Sequence, residues 1–323
     1  MNFFSFVFLN SLFHDGFHWN FRYFCTMKNS PILRLHLIVF LWGFTAIVGK
    51  LISIEALGLV FYRMLFAGII LWFFIRCVKK ESLKVSKQVF KMLFGVGVLI
   101  AIHWVCFFHS IKVSNVSIAL CCLSLSTLFA AFVEPLFFKR KIDWLEILIG
   151  CVIVACIGVI FNIEFKYKEG IFYGILAAFF GTLFSVFNGK LFGKTASHNI
   201  IFYELVCGCA AVGIFLLLSG QQEVFTHLPM VDLGWLIVLA SVFTAYPMLE
   251  SVKLMKYISP FTLILTVNLE PVYGIIFAFF IFEESEQMSP AFYIASLVMI
   301  LSIVVNGIIK SKRKKELKTE AEL

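Results

Sequence analysis

The chain has 323 residues, 61% of them hydrophobic and only 14% charged, with a mean hydropathy of +0.97. Soluble domains carry about 25% charged residues, so water is not the main solvent of this chain. The formal charge of +8 sits in short segments between long apolar runs, which leave no room for a large soluble domain.

Residues 1–32 form an N-terminal tail. Its first 26 positions are Phe-rich, hold Arg22 as their only basic residue and lack the basic n-region of a signal peptide. Met27-Lys28-Asn29-Ser30-Pro31 reads as the opening of a polytopic protein, so translation is expected to start at Met27; the alternative is a short interfacial segment. His14 and His18 lie in this tail, and two histidines there make no metal site.

A spanning helix needs roughly 20 apolar residues. Runs of that kind cover 33–52, 57–76, 91–110, 116–138, 144–162, 170–189, 199–219, 232–250, 260–282 and 290–309, which predicts about ten transmembrane helices. Residues 310–323 follow as a basic tail, read as an anchor on anionic lipid rather than a nucleic-acid arm. With both termini inside, 21 Lys and Arg fall on the cytoplasmic side against Lys112, Lys166 and Lys168 outside, the bias that orients membrane helices.

The two halves repeat one another. Gly49-Lys50-Leu51 and Phe61-Tyr62-Arg63 are answered by Gly189-Lys190-Leu191 and Phe202-Tyr203-Glu204, and Ser110-Ile111-Lys112 by Ser251-Val252-Lys253. The first repeat spans 33–162 and the second 170–309. Five spans per half is an odd number, so the halves enter the membrane with opposite orientation. The expected fold is an all-α integral membrane protein of two inverted five-helix repeats, the plan of a secondary transporter. Arg63 and Glu204 then sit about 9 Å deep from opposite faces, about 12 Å apart in depth across a core of about 30 Å, too far for a salt bridge.

Nine cysteines contain no C-x-x-C pair and fall mostly within spans, where they act as small packing residues. Glycines cluster at Gly95 and Gly97, Gly150 and Gly158, Gly170 and Gly174, and Gly208 and Gly213, where close helix packing is expected.

Leu41-Trp42-Gly43-Phe44, Phe61-Tyr62-Arg63 and Leu269-Glu270-Pro271-Val272, followed by Glu283-Glu284, make the chain resemble the EamA-type permeases of the drug/metabolite transporter superfamily over 33–309. The resemblance implies a ten-helix carrier of amino acids, other small metabolites or drugs, often working outward. The first half departs from the pattern: its fourth span ends in Val133-Glu134-Pro135-Leu136 and the basic Lys139-Arg140-Lys141.

Glu270 is the carboxylate to examine hardest. At mid-span an ionised carboxylate costs about 2.5–3.5 kcal/mol on insertion scales, so it faces a cavity or a partner, carries a proton, or bonds a neighbouring helix beside Pro271. Glu134 lies near the basic loop and reads as structural. Arg63 and Glu204 are gate or coupling candidates together with Glu270, Arg63 having Glu55 or a substrate carboxylate as a partner. Lys50 is near the outer end of its span, where it can snorkel.

Trp42, Thr45, His103, Trp104, Asn188, Tyr246, Asn268 and Glu270 are the candidate cavity residues, mostly apolar or aromatic with a few oriented polar groups. Pro247 and Pro271 are candidate kink positions. No catalytic set, metal site or cofactor is expected, because the spans lack paired Asp or His motifs.

The function read from these features is alternating-access transport, outward, of an amphipathic or zwitterionic small molecule across a bacterial inner membrane. The competing readings are a non-transporting scaffold or receptor and a membrane-embedded lipid-modifying enzyme. The expected partners are a small-molecule substrate, protons as a candidate coupling ion, membrane lipid and a second copy in a homodimer, with no nucleic acid.

Overall fold

The structure, a computed structural model, describes residues 30–191, 193–254, 257, 266–267 and 269–322. Asn268 and residues 1–29 lie outside the described residues. The helices run α1 Pro31–Leu51, α2 Ala56–Lys79, α3 Lys87–Val113, α4 Val116–Phe138, α5 Trp144–Ile163, α6 Phe165–Leu191, α7 Ser197–Leu218, α8 Met230–Ser251, α9 Glu270–Phe282 and α10 Pro290–Glu322. Nine of them are, among the described residues, long and apolar enough to cross a membrane. Only α9 falls short, since its described part begins at Glu270. The exterior is apolar: Leu218 is 83% exposed, Leu136 79% and Phe280 70%, which suits hydrocarbon and not water.

Local sequence sets most helix starts. Ser30, Ser86, Asn115 and Asp143 cap α1, α3, α4 and α5 by accepting from the N–H of Leu33, Val89, Ile118 and Leu145. Lys139 and Glu283 end α4 and α9 with positive φ, 53° and 38°, at similar places in the two repeats, Lys139 alone in the left-handed helical conformation. The basic segment after Ile309 continues α10 as helix to Glu322.

Pro247 follows a π-helical turn, Ser241–Ala245, inside α8. A proline has no N–H to return to the fourth residue before it, so the chain loosens there. Pro271 follows a turn at Leu269. It sits in the first turn of the described α9, where a missing N–H costs little.

Close backbone approach occurs where two glycines face each other. A Cβ on Gly97 of α3 would stand 2.7 Å from the Glu204 carbonyl oxygen, and one on Gly208 of α7 would stand 2.6 Å from the Gly97 carbonyl oxygen. Gly43 and Gly274 bring α1 and α9 together in the same way, at 3.2 and 3.1 Å from each other's backbone. Gly95 and Gly158, expected to pack, instead have open space where a Cβ would go, because they lie on the outward faces of their helices.

Buried carboxylates staple the end of the bundle that carries Lys50. Glu286, 0% exposed, accepts from the Val116 and Ser117 N–H groups at 2.9 Å each, from Ser117 Oγ, and from Lys50 Nζ at 2.7 Å. Lys50 therefore does not snorkel freely: it also donates to Ser285 Oγ and lies over the Phe282 ring. Asp232 accepts in the same manner from Ser53 and Ile54, in the connection between α1 and α2. Glu286 thus satisfies N–H groups that the start of α4 leaves unpaired, and Asp232 satisfies those of the connecting turn.

The opposite end has its own ties. Arg34 of α1 pairs with Glu250 of α8, which Lys253 also contacts at 3.1 Å. Arg140 bridges Glu134 at 3.0 Å and Glu146 at 2.6 Å. Partial burial alone would lower the Arg140 guanidinium, but hydrogen bonds and charge attraction from Glu146 and Glu134 outweigh it and raise the group above its ordinary value.

Candidate functional site

Arg63 lies deep in α2 with 3% of its surface exposed. A cation there needs partners from neighbouring helices, and three of them supply four side chains. Its Nε donates to Thr244 Oγ1 at 2.8 Å, in the π-helical turn of α8, and Thr244 in turn donates to the Leu239 carbonyl. Its guanidinium plane lies 3.7 Å from the centroid of Trp104 and 5.4 Å from that of Phe108, both on α3. Glu270, in the first turn of α9, is within electrostatic range. Nη1 is buried with no hydrogen-bond partner. A planar, always-charged group stacked on an aromatic ring and short of one acceptor is well suited to take a carboxylate or another anionic oxygen.

Glu55, the partner considered for Arg63 from sequence, is exposed and lies near Lys112 instead. Thr244 and Phe108 went unrecognised in the sequence. Phe108 stands four residues after Trp104, on the same face of α3, and that spacing is the one signal that pointed to it. Thr244 had none.

His103 is placed beside this cluster but is engaged elsewhere. Its Nδ1–H donates to the Ala177 carbonyl of α6 at 2.7 Å, and its ring packs on Phe107 and Phe184. It joins α3 to α6. Thr45 is 5% exposed and its hydroxyl is unpartnered.

Other candidates are not gathered here. Trp42 packs with Leu35, Ile38, Val39 and Leu254 at the Arg34 end of α1. Tyr246 is 47% exposed and, among the described residues, shares no hydrogen bond or ring contact with the cluster. Its position two residues after Thr244 turns it about 200° around the helix. Asn188 and Glu204 form a second, separate buried pair between α6 and α7, with Asn188 Nδ2 donating to Glu204 Oε2 at 3.4 Å. Among the described residues Arg63 and Glu204 make no ion pair; Arg63 donates to Thr244 and has Glu270 within electrostatic range.

An apolar groove of ≈ 650 Å³ lies between α2 and α7 and is lined by Met64, Gly68, Trp72, Val206, Gly213 and Leu217 among others. It has no charged lining residue and faces the bundle exterior, so it is distinct from the Arg63 cluster. Among the described residues no group of three or more His, Cys, Asp or Glu is arranged to hold a metal.

The EamA-like transporter family model matches residues 29–162 and again 168–308, once for each repeat. A solved structure titled "Crystal structure of protein" shares the fold at a TM-score of 0.60 and 13% identity, covering 86% of this chain and 98% of its own. No curated protein matches the chain significantly. Duplicate matches over nearly the whole bundle, on a chain of apolar helices, show an integral membrane permease for small molecules, and the chain belongs to the EamA-like transporter family.

Proposed function

We propose that the chain moves a small amphipathic or zwitterionic metabolite, such as an amino acid, by alternating access around the Arg63–Glu270 cluster. The observation that carries this reading is a buried cation and a partly buried carboxylate within electrostatic range of each other from opposite repeats, with Arg63 Nη1 left unpartnered. Arg63 belongs to the first repeat and Glu270 to the second, so rocking one repeat against the other changes their separation. A carrier needs this, because a ligand shifts an equilibrium only through unequal affinity for its two states. A substrate carboxylate on Arg63 and its ammonium group toward Glu270 would bind best when the two lie at one spacing.

The weight of Lys and Arg supports cytoplasmic termini, and the short loops fit a bacterial inner membrane. The Arg34–Glu250 tie then closes the cytoplasmic mouth, and the Lys50–Glu286 staple belongs to the outer face. Outward transport follows the family resemblance. Glu270 is also the coupling candidate, loading a proton when the cation beside it moves away.

The test is counterflow of a labelled amino-acid pool in liposomes holding the purified chain, with and without a pH gradient. Exchange by the parent and its loss in Arg63→Gln support the reading. Exchange without gradient-driven uptake in Glu270→Gln assigns coupling to that carboxylate. No counterflow with any amino acid sinks this substrate class.

A further inference from the structure

Glu204 is the repeat counterpart of Arg63, and the two side chains are answered in unlike ways. Glu204 is 0% exposed. One donor reaches its carboxyl group, the Asn188 amide, at 3.4 Å to Oε2. Glu204 Oε1 and Asn188 Oδ1, the other oxygens of the two groups this bond joins, are buried and have no partner.

Several charged and titratable groups of the surrounding helices are engaged elsewhere; His198, at the start of α7, contacts Glu81 at 2.8 Å through Nδ1 and leaves Nε2 without a partner. On α6, Lys190 lies over the Phe137 ring. On α2, Arg63 is held by Thr244 and Trp104. On α8, Glu250 is held by Arg34 and Lys253. On α3, His103 donates to the Ala177 carbonyl, and the residue against Glu204 is Gly97, which presents only backbone. On α7 itself, Tyr203 donates to the Leu83 carbonyl, and Cys207 is the thiol within electrostatic range. Among the described residues, no cation neutralises this carboxylate.

The pair is one hydrogen short of full pairing. A proton on Oε1 lets Glu204 donate to Asn188 Oδ1 while Asn188 Nδ2 donates back to Oε2. That closes a cyclic acid–amide pair and satisfies both orphaned oxygens at once. We infer that Glu204 and Asn188 form a proton-binding site inside the bundle, filled as the neutral acid in this conformation. A monovalent metal ion fits poorly, because the amide N–H points at the carboxylate and two oxygens do not replace a hydration shell. Use of this proton in coupling rests on the transport reading above; its presence does not.

The experiment is infrared spectroscopy of the full chain in lipid vesicles near neutral pH, in H₂O and D₂O. A protonated-acid carbonyl band is expected that shifts on deuteration, disappears in Glu204→Gln and survives in Glu270→Gln. Asn188→Ser should move that band upward, since the acid carbonyl loses its donor. Should Glu204→Gln fail to fold, [¹³C]glutamate in the unmutated chain must shift the same band. Absence of any acid band meeting these conditions overturns the site, and so does a band that appears or vanishes as sodium replaces choline. No substrate is needed, so a failure of the transport assay leaves this result standing.

Discussion

Tyr62 and Tyr203 make the same hydrogen bond in opposite directions. Tyr62 Oη donates to the Val224 carbonyl at 2.8 Å, and Tyr203 Oη donates to the Leu83 carbonyl at 2.8 Å. Tyr203 follows Tyr62, and Val224 follows Leu83, by the same interval of 141 residues. Each repeat thus reaches from its second helix into the loop after the other's second helix, at opposite ends of the bundle. Reciprocity of this kind is what a two-fold axis in the membrane plane produces.

Tyr62→Phe and Tyr203→Phe should destabilise the protein by similar amounts, about 0.5–1.5 kcal/mol each for one lost hydrogen bond. Their effects should add in the double variant, because the sites share no partner. Thermal unfolding in detergent measures this; a strongly unequal pair would mean that the two ends are not equivalent.

The Gly97–Gly208 approach leaves no space for a methyl group. Gly208→Ala must displace the Met64 side chain and the Gly97 backbone, and a cost of about 1–3 kcal/mol is expected. Gly95→Ala and Gly158→Ala meet open space and should leave the unfolding temperature unchanged or slightly raised.

Removal of Glu286 exposes the weakness of a buried cap. Glu286→Ala strands the Val116 and Ser117 N–H groups and the Lys50 ammonium, with an expected loss of about 1–3 kcal/mol for each group left without a partner. Lys50→Met should cost less, because the carboxylate keeps its three donors from α4. Equal losses in the two variants would place the stability in the ion pair and not in the cap.

Arg63→Lys keeps the charge but loses the Nε donor to Thr244 and the flat stack on Trp104. A hydrogen bond to a charged group is worth about 1.5–3 kcal/mol, so a loss of about 2 kcal/mol, about thirtyfold in affinity, is expected. The half-saturating substrate concentration in counterflow should rise by up to that factor. Trp104→Leu should act in the same direction, and a change in neither would remove the stacked guanidinium from the site.

The sequence was most legible where the controlling physics is local and additive. Spans follow from runs of apolar residues, and the inverted plan follows from an odd number of spans in each repeat. The separation of Arg63 from Glu204 followed from depth alone, since 1.5 Å per residue fixes height in the membrane. The same arithmetic does not fix rotation about the helix axis or the identity of the neighbour. Tyr246 and Thr244 share a depth yet face apart, and only the second meets Arg63. Trp42 belongs to a cluster with Leu35, Leu254, Leu269 and Tyr273, a grouping its depth did not reveal.

The chain alone therefore determined the solvent, the number of spans, the duplication and the residues that could not be innocent in hydrocarbon. Packing decided what those residues do. Arg63 found Thr244, Trp104 and Glu270; Glu204 found Asn188; Lys50 found Glu286. In lipid, apolar burial does not choose among helix neighbours, because hydrocarbon outside is as apolar as the core. Close backbone approach and the pairing of scarce polar groups make that choice, and both depend on residues far apart in sequence.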